Sequence, residues 1–306
     1  MSDLPVASFP SAVWDTVTQR RQTQHDYVEP GAAEYAEIMS EILAIETSLV
    51  SLAADSIIWV APHGVAATAT GSITNPYKTL AAAFAAITAS KKTVVLMPGT
   101  YVLTAVQALP VAQDGVKIIG LGGSKAVMVS GGNFDQALSL TPGAQGAAFT
   151  ITLQGITVDQ YAAKKGLYID DTAIDGAVTL NLKDVIFTQD SSGVPIDLLH
   201  AVNQTVTINA DHCDFGLGAV TVDCINTSDS FNFNYCNLPG GLISDAGAVA
   251  AAFVFKFCTI KASGVSGGHS SQTIVALYCV ATDNTLAETG EFAGSHTETL
   301  VSPVSA

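Results

Sequence analysis

Apolar and polar residues alternate with a period of two through most of residues 151–281, and the alternation breaks and restarts at regular places. Six stretches share one pattern. Aligned on Ile156, Val185, Cys213, Cys236, Cys258 and Cys279, each has an apolar residue five positions earlier: Ile151, Leu180, Ile208, Phe231, Phe253 and Ile274. Three positions earlier stand Leu153, Leu182, Ala210, Phe233, Phe255 and Ala276; two positions later stand Val158, Phe187, Phe215, Leu238, Ile260 and Ala281. The reference positions are 29, 28, 23, 22 and 21 residues apart. A period of two is the strand period, and self-similarity at intervals of this order marks a solenoid. Two short strands joined by a bend cannot bury their apolar face alone, so such units stack at the strand spacing of about 4.8 Å. The expected fold class is all-β, a parallel β-helix of roughly eight to ten coils over residues 56–284.

The same alignment sorts the remaining positions. Four of the five cysteines take the inward place that Ile156 and Val185 hold in other units, so they read as a buried stack of small apolar side chains. Cys224 lies outside that column and is also expected to be buried. Outward positions carry Thr152 and Gln154, Asn181 and Lys183, Asn209 and Asp211, Asn232 and Asn234, a polar ladder. The last two units replace it with Val254/Lys256 and Val275/Leu277, and an outward face turning apolar points to a protein contact.

Upstream the pattern changes twice. Residues 1–30 are polar and irregular, with Pro5, Pro10 and Pro30. Trp14, Arg20, Arg21 and Tyr27 are residue types enriched at interfaces, so the segment is expected to be an extended arm anchored on a partner. Residues 31–55 read as a helix: Tyr35, Ile38, Ile42, Ile45, Leu49 and Leu52 follow a 3-4 spacing. β-Branched Ile at both a and d positions shifts preference from dimers toward trimers. Residues 285–306 lose the repeat and read as a C-terminal cap or tail.

The first part of the body carries a resemblance. A Gly71-Ser72…Asn75-Pro76-Tyr77-Lys78-Thr79 loop leads into an Ala-rich stretch to about residue 89, then a strand over residues 93–97, then Pro98-Gly99-Thr100-Tyr101. This stretch resembles the opening of pectate-lyase-like right-handed β-helices, especially those of phage tailspikes. The resemblance implies a right-handed coil and an N-terminal helix laid over the first turn. Ala44-Ile45-Glu46 before Leu49, after Glu37 and Glu41, is similar to the N-terminal helix of many phage tail and fibre proteins.

Charge and composition narrow the partners. The formal net charge is −15, with nine acids against two bases in residues 1–55, and both arginines of the chain are Arg20 and Arg21. Nucleic-acid binding needs clustered Lys and Arg to neutralise phosphates, so no nucleic-acid partner is expected. No apolar run approaches the roughly 18 residues of a membrane span, and no basic segment with an apolar run opens the chain. Reduced thiols suit assembly in a cytoplasm. No C-x-x-C pair exists, and one-coil spacings do not match zinc ligands; neither metal nor cofactor is expected.

Candidate chemistry rests on carboxylates. Asp170, Asp197, Asp223 and Asp245 each end a short apolar run 13 to 16 residues before a reference position. If aligned in one column they would bring carboxyl groups within the spacing that glycoside hydrolysis requires. Aspartates also end strands and cap turns by bonding backbone N–H groups, which is the expected role. The lyases of the resembled family use an arginine or lysine base, and no arginine follows Arg21; the Arg-Ile-Lys of its polygalacturonases is absent too. The resemblance therefore favours a structural role over catalysis and leaves the enzyme question open; were the chain an enzyme, it would be a β-helix glycoside hydrolase. Asp211-His212-Cys213-Asp214 is the densest cluster of ligand-type residues, with Cys213 inward by the repeat.

The functional expectation follows the resemblance: a phage virion protein assembled in the host cytoplasm, homotrimeric, docked through its N-terminal arm onto tail, baseplate or capsid proteins, and contacting host surface polysaccharide as a short tail fibre or tailspike-like adhesin. The alternatives are a capsid decoration or head-fibre protein that stabilises the shell, and a polysaccharide depolymerase using the four aspartates.

Overall fold

The computed structural model describes residues 56–64, 68–108, 114–122, 126–130, 135–140, 148–159, 164–170, 177–188, 193–199, 205–223, 229–245, 251–260, 266–267, 273–281, 293–294 and 297–301. The chain divides into two units at Asp55–Ser56. The arm expected over residues 1–30 and the heptad helix expected over 31–55 lie outside the described residues, as does Cys224.

In chain order the first strands are β1 (Ile57–Val60), β2 (Thr93–Leu96), β3 (Gly99–Leu103), β4 (Gln107–Ala108), β5 (Val116–Gly120), β6 (Ala126–Ser130), β7 (Gln136–Leu140) and β8 (Phe149–Gln154). Next come β9 (Ile156–Asp159), β10 (Lys165–Asp170), β11 (Val178–Lys183), β12 (Ile186–Phe187), β13 (Val194–Leu199), β14 (Val206–Asp211), β15 (Val220–Asp223) and β16 (Ser230–Asn234). The last are β17 (Asn237–Leu238), β18 (Leu242–Asp245), β19 (Ala252–Lys256), β20 (Thr259–Ile260), β21 (Ser266–Gly267), β22 (Thr273–Leu277), β23 (Val280–Ala281), β24 (Ala293–Gly294) and β25 (Thr297–Val301). Among the described residues one helix has a defined span, α1 (Leu80–Ala85), between β1 and β2.

All named strand pairs are parallel. One ten-stranded sheet runs β1-β2-β5-β8-β11-β14-β16-β19-β22-β25, and an eight-stranded sheet runs β24-β21-β18-β15-β13-β10-β7-β4. A third face is made of a four-stranded sheet, β12-β9-β6-β3, and a three-stranded sheet, β17-β20-β23. Asp214 joins these two through isolated parallel bridges to Ile186 and Asn237. From β2 onward the chain visits the ten-stranded sheet, the third face and the eight-stranded sheet in that order, turn after turn.

The repeat seen in the sequence is the register of the ten-stranded sheet. Ile151, Leu180, Ile208, Phe231, Phe253 and Ile274 pair in succession, and so do Leu153, Leu182, Ala210, Phe233, Phe255 and Ala276. All twelve are buried. A one-residue slip would turn every one of them to the other face, so the alternation enforces the register. Like stacks on like: Phe231 on Phe253 at 4.9 Å between ring centroids, and Phe233 on Phe255 at 5.1 Å. Each such pair contributes about 0.5–1.5 kcal/mol beyond the burial of its area.

The first coil is closed by its own sequence. Trp59 donates its N–H to Gly71 O and accepts from Tyr77 N, so the loop over residues 71–77 covers the open edge of β1. Thr79 then caps α1, its Oγ1 accepting from Ala82 N at 3.3 Å. The helix buries Leu80 and Ala83 in the core and stops at Ala85, short of the expected residue 89, where β-branched Ile87 and Thr88 follow. Tyr101 locks the turn by donating to Met97 O at 2.7 Å and reaching Val60 O at 3.0 Å. Burial pushes its phenol well above the usual tyrosine range.

At the far end the repeat continues past residue 284. β25 pairs with β22 over five residues, from Thr273↔Thr297 to Leu277↔Val301, and β24 pairs with β21. The alternation in Thr297-Glu298-Thr299-Leu300-Val301 is too polar to register as a core strand, which is why the sequence pattern ended earlier.

Candidate functional site

Three parallel columns of side chains run along the stacked strands at the edge of the ten-stranded sheet. The first contains Thr152, Asn181, Asn209 and Asn232, followed by Val254 and Val275. Asn209 Nδ2 donates to Asn181 Oδ1 and Asn232 Nδ2 to Asn209 Oδ1, both at 3.0 Å. Each primary amide has two N–H donors and a carbonyl with two lone pairs, so this ladder uses part of its capacity and holds the rest in fixed orientation. The second column contains Gln154, Lys183, Asp211, Asn234, Lys256 and Leu277, with Asn234 Nδ2 donating to Asp211 Oδ1 at 2.9 Å. Both follow the outward ladder expected from the sequence.

The third column lies one residue further, where the chain turns out of the sheet. Gly155, Asp184, His212, Tyr235, Phe257 and Tyr278 all have positive φ, between 52° and 64°. A left-handed residue here bends the strand while keeping the next residue inward: Val185, Cys213, Cys236, Cys258 and Cys279 are all buried. The corner stays hydrogen-bonded, for Tyr235 N donates to Lys256 O and Phe257 N to Leu277 O, each at 2.9 Å. Left-handed backbone costs a non-glycine residue about 1–2 kcal/mol.

Four of these corner residues form an exposed stack. Ring centroids lie 4.9 Å apart for His212–Tyr235, 4.9 Å for Tyr235–Phe257 and 5.3 Å for Phe257–Tyr278. Tyr235, Phe257 and Tyr278 are half-exposed. Their planes are within 9° of parallel. The ring faces are therefore turned to one another, and solvent meets ring edges and the flanks of the column. Edges carry the positive end of the ring quadrupole, which suits oxygen acceptors. At the foot, His212 Nδ1 lies 3.1 Å from Asp211 Oδ1.

Behind the aromatic column lies the thiol column. Cys213, Cys236, Cys258 and Cys279 are free and buried. Contact with the thiol of the preceding coil, then burial, pushes Cys236 and Cys258 up to about 12. Cys279 is raised in the same way, by Cys258 and then by burial. Thiols so raised are poor nucleophiles; here they fill space.

The aspartates do not form one column. Across β10 and β13, Asp170 stands opposite Leu199, whereas Asp197 stands opposite Tyr168 and, on its other side, Thr221. Asp197 is thus offset by two residues from Asp170. It pairs with Lys165, whose Nζ also lies 4.2 Å from the Tyr168 ring centroid. Asp223 and Asp245 meet in register, and Asp170 keeps to the same column with Leu199 between, so Asp197 alone leaves it. The loops between strands differ in length, so equal distance from the reference position did not mean equal height.

Asp211, His212, Cys213 and Asp214 point to different tasks. Cys213 is in the core, His212 is exposed in the aromatic stack, and Asp214 Oδ1 accepts from Gly216 N at 3.0 Å and Asn237 Nδ2 at 3.3 Å. Among the described residues no three His, Cys, Asp or Glu side chains gather to hold a metal ion, and no helix is long and apolar enough to cross a membrane. Trp14, Arg20, Arg21, Tyr27 and the seam from Tyr35 to Leu52 lie outside the described residues.

Comparison with protein-family models, with curated proteins and with solved structures finds no match for the chain.

Proposed function

We propose that the chain is a right-handed parallel β-helix serving as a virion appendage: a homotrimer, docked by its N-terminal arm, that contacts host-surface polysaccharide along the edge of its ten-stranded sheet. The cyclic order of strands supports the coil, and parallel crossover connections are almost always right-handed. The observation that carries the binding reading is the side-by-side run of the amide ladder and the edge-on aromatic ladder. Both repeat once per coil. A ligand that repeats along one axis fits such a surface better than a compact one, and polysaccharide offers hydroxyl oxygens and hydrogens at every residue. Amides and phenols hydrogen-bond it, and ring edges face its oxygens. Asp197 is offset and ion-paired, which removes it from the four-aspartate set of the depolymerase alternative.

Antibody–gold electron microscopy of intact particles tests the placement. Gold at the tail tip or baseplate is the expected result. Gold spread over the head would replace the adhesin with a decoration protein, and absence from particles would end the virion reading.

A further inference from the structure

We propose that a second binding site, separate from the ladder face, lies in the groove of about 420 Å³ beside α1, and that it takes a small polyhydroxylated carboxylate such as a sugar acid. Gln107 is out of place in its strand. Its register runs Gln107↔Leu138, Leu138↔Leu167, Leu167↔Ile196, so it stands at the foot of an apolar core column. Leu138, Leu167 and Ile196 are fully buried, and Gln107 is only 8% exposed. Every other member of the column is a branched aliphatic residue, and nothing in the strand pattern asks for an amide there.

Burying an amide is costly unless its groups are bonded. Among the described residues the amide makes one hydrogen bond, Nε2 to Ala105 O at 2.8 Å. Among the described residues that leaves one N–H and the carbonyl oxygen for a further partner. Gln107 lines the groove, together with the hydroxyl-bearing Thr79, Thr100 and Thr104, the cationic Lys78 and the apolar Leu103. The volume is within the range of small-ligand sites, which pair apolar walls with a few placed polar groups. The buried amide and the threonines suit ligand hydroxyls. Lys78, exposed, suits a carboxylate. An amide kept where leucine would be more stable is the pattern of function retained at the expense of stability.

The test titrates the full chain with sodium glucuronate, sodium gluconate, uncharged glucose and acetate at millimolar concentrations, followed by ligand-observed NMR. Saturable binding of the two sugar acids, with glucose weaker and acetate absent, is expected. Gln107→Leu is expected to raise the thermal midpoint and to weaken sugar-acid binding about tenfold or more. Lys78→Ala should bring the sugar acids down to the level of glucose. A structural glutamine behaves differently: Gln107→Leu would then lower the midpoint, and that result overturns the proposal. So does sugar-acid binding that is absent, that equals glucose in the parent chain, or that survives unchanged in Gln107→Leu.

Discussion

Tyr235 and Phe257 stack face to face, ring centroids 4.9 Å apart and planes 8° apart, although both sit at left-handed backbone, φ 52° and 53°. The strain of each corner, about 1–2 kcal/mol, is comparable with the about 0.5–1.5 kcal/mol of each stacked pair. Phe257 has two such pairs. The ladder therefore offsets the backbone that creates it, and isolated aromatic residues at this corner would not be favoured.

That balance predicts an inverted order of substitutions. Phe257→Ala loses both stacks and keeps the strain, costing about 2 kcal/mol. Phe257→Gly loses the same contacts but releases the strain, and should be about 1 kcal/mol more stable than the alanine variant. Urea unfolding of the two variants decides it. Alanine equal to or better than glycine would mean the corner is not strained.

A second corner is governed by space. A Cβ on Gly218 would stand 1.9 Å from Gly193 O, while one on Gly115 (φ +80°) meets nothing within 4 Å. Gly218→Ala should cost about 3 kcal/mol or more by overpacking against backbone, and Gly115→Ala about 1 kcal/mol from strain alone. Thermal midpoints of the pair give the comparison; equal losses would show that the coils separate easily there.

The thiol column makes stability fall at alkaline pH. Cys258 is raised from 9.0 to about 12, so the folded chain holds that proton more tightly than the unfolded chain. Its contribution is full below pH 9.0 and is lost as pH rises through about 12. Urea midpoints should drop between neutral pH and pH about 11, and less so in Cys258→Val, which keeps the column apolar. Tyr101 acts in the same direction and remains in both proteins. An equal drop in the variant would assign the effect elsewhere. Ellman's reagent should also find Cys258 unreactive until the chain unfolds.

The parts of this fold that were legible are those set by a period of two. Alternation placed the inward columns, the thiol stack and the outward amide ladder, because burial of one face enforces register. The strands of the eight-stranded sheet were not placed, because the number of residues between successive strands differs from turn to turn; hence the offset of Asp197. The aromatic ladder was also missed. Tyr235, Phe257 and Tyr278 each precede a reference cysteine, and that alignment displays them. Their meaning depends on a left-handed backbone that aromatic residues seldom adopt, so the residue types themselves argued against it. Gln107 is an ordinary polar residue by sequence, and only its register with Leu138 places it in a core column.

Asn209 and Asn232 allow the ladder to be removed without unfolding the sheet. Val254 and Val275 occupy the same column two coils on, so valine fits the register. Asn209→Val with Asn232→Val should leave the unfolding free energy, from urea titration, within about 1 kcal/mol of the parent.

The most direct measurement is therefore binding of the purified full-length chain and of that double variant to a panel of bacterial surface polysaccharides, both proteins matched for unfolding midpoint. The account predicts that the parent binds at least one polysaccharide and that the double variant binds it about tenfold more weakly or less. A parent chain that binds none of them, or a variant that binds as well as its parent, would contradict the ladder face as a glycan-contact surface.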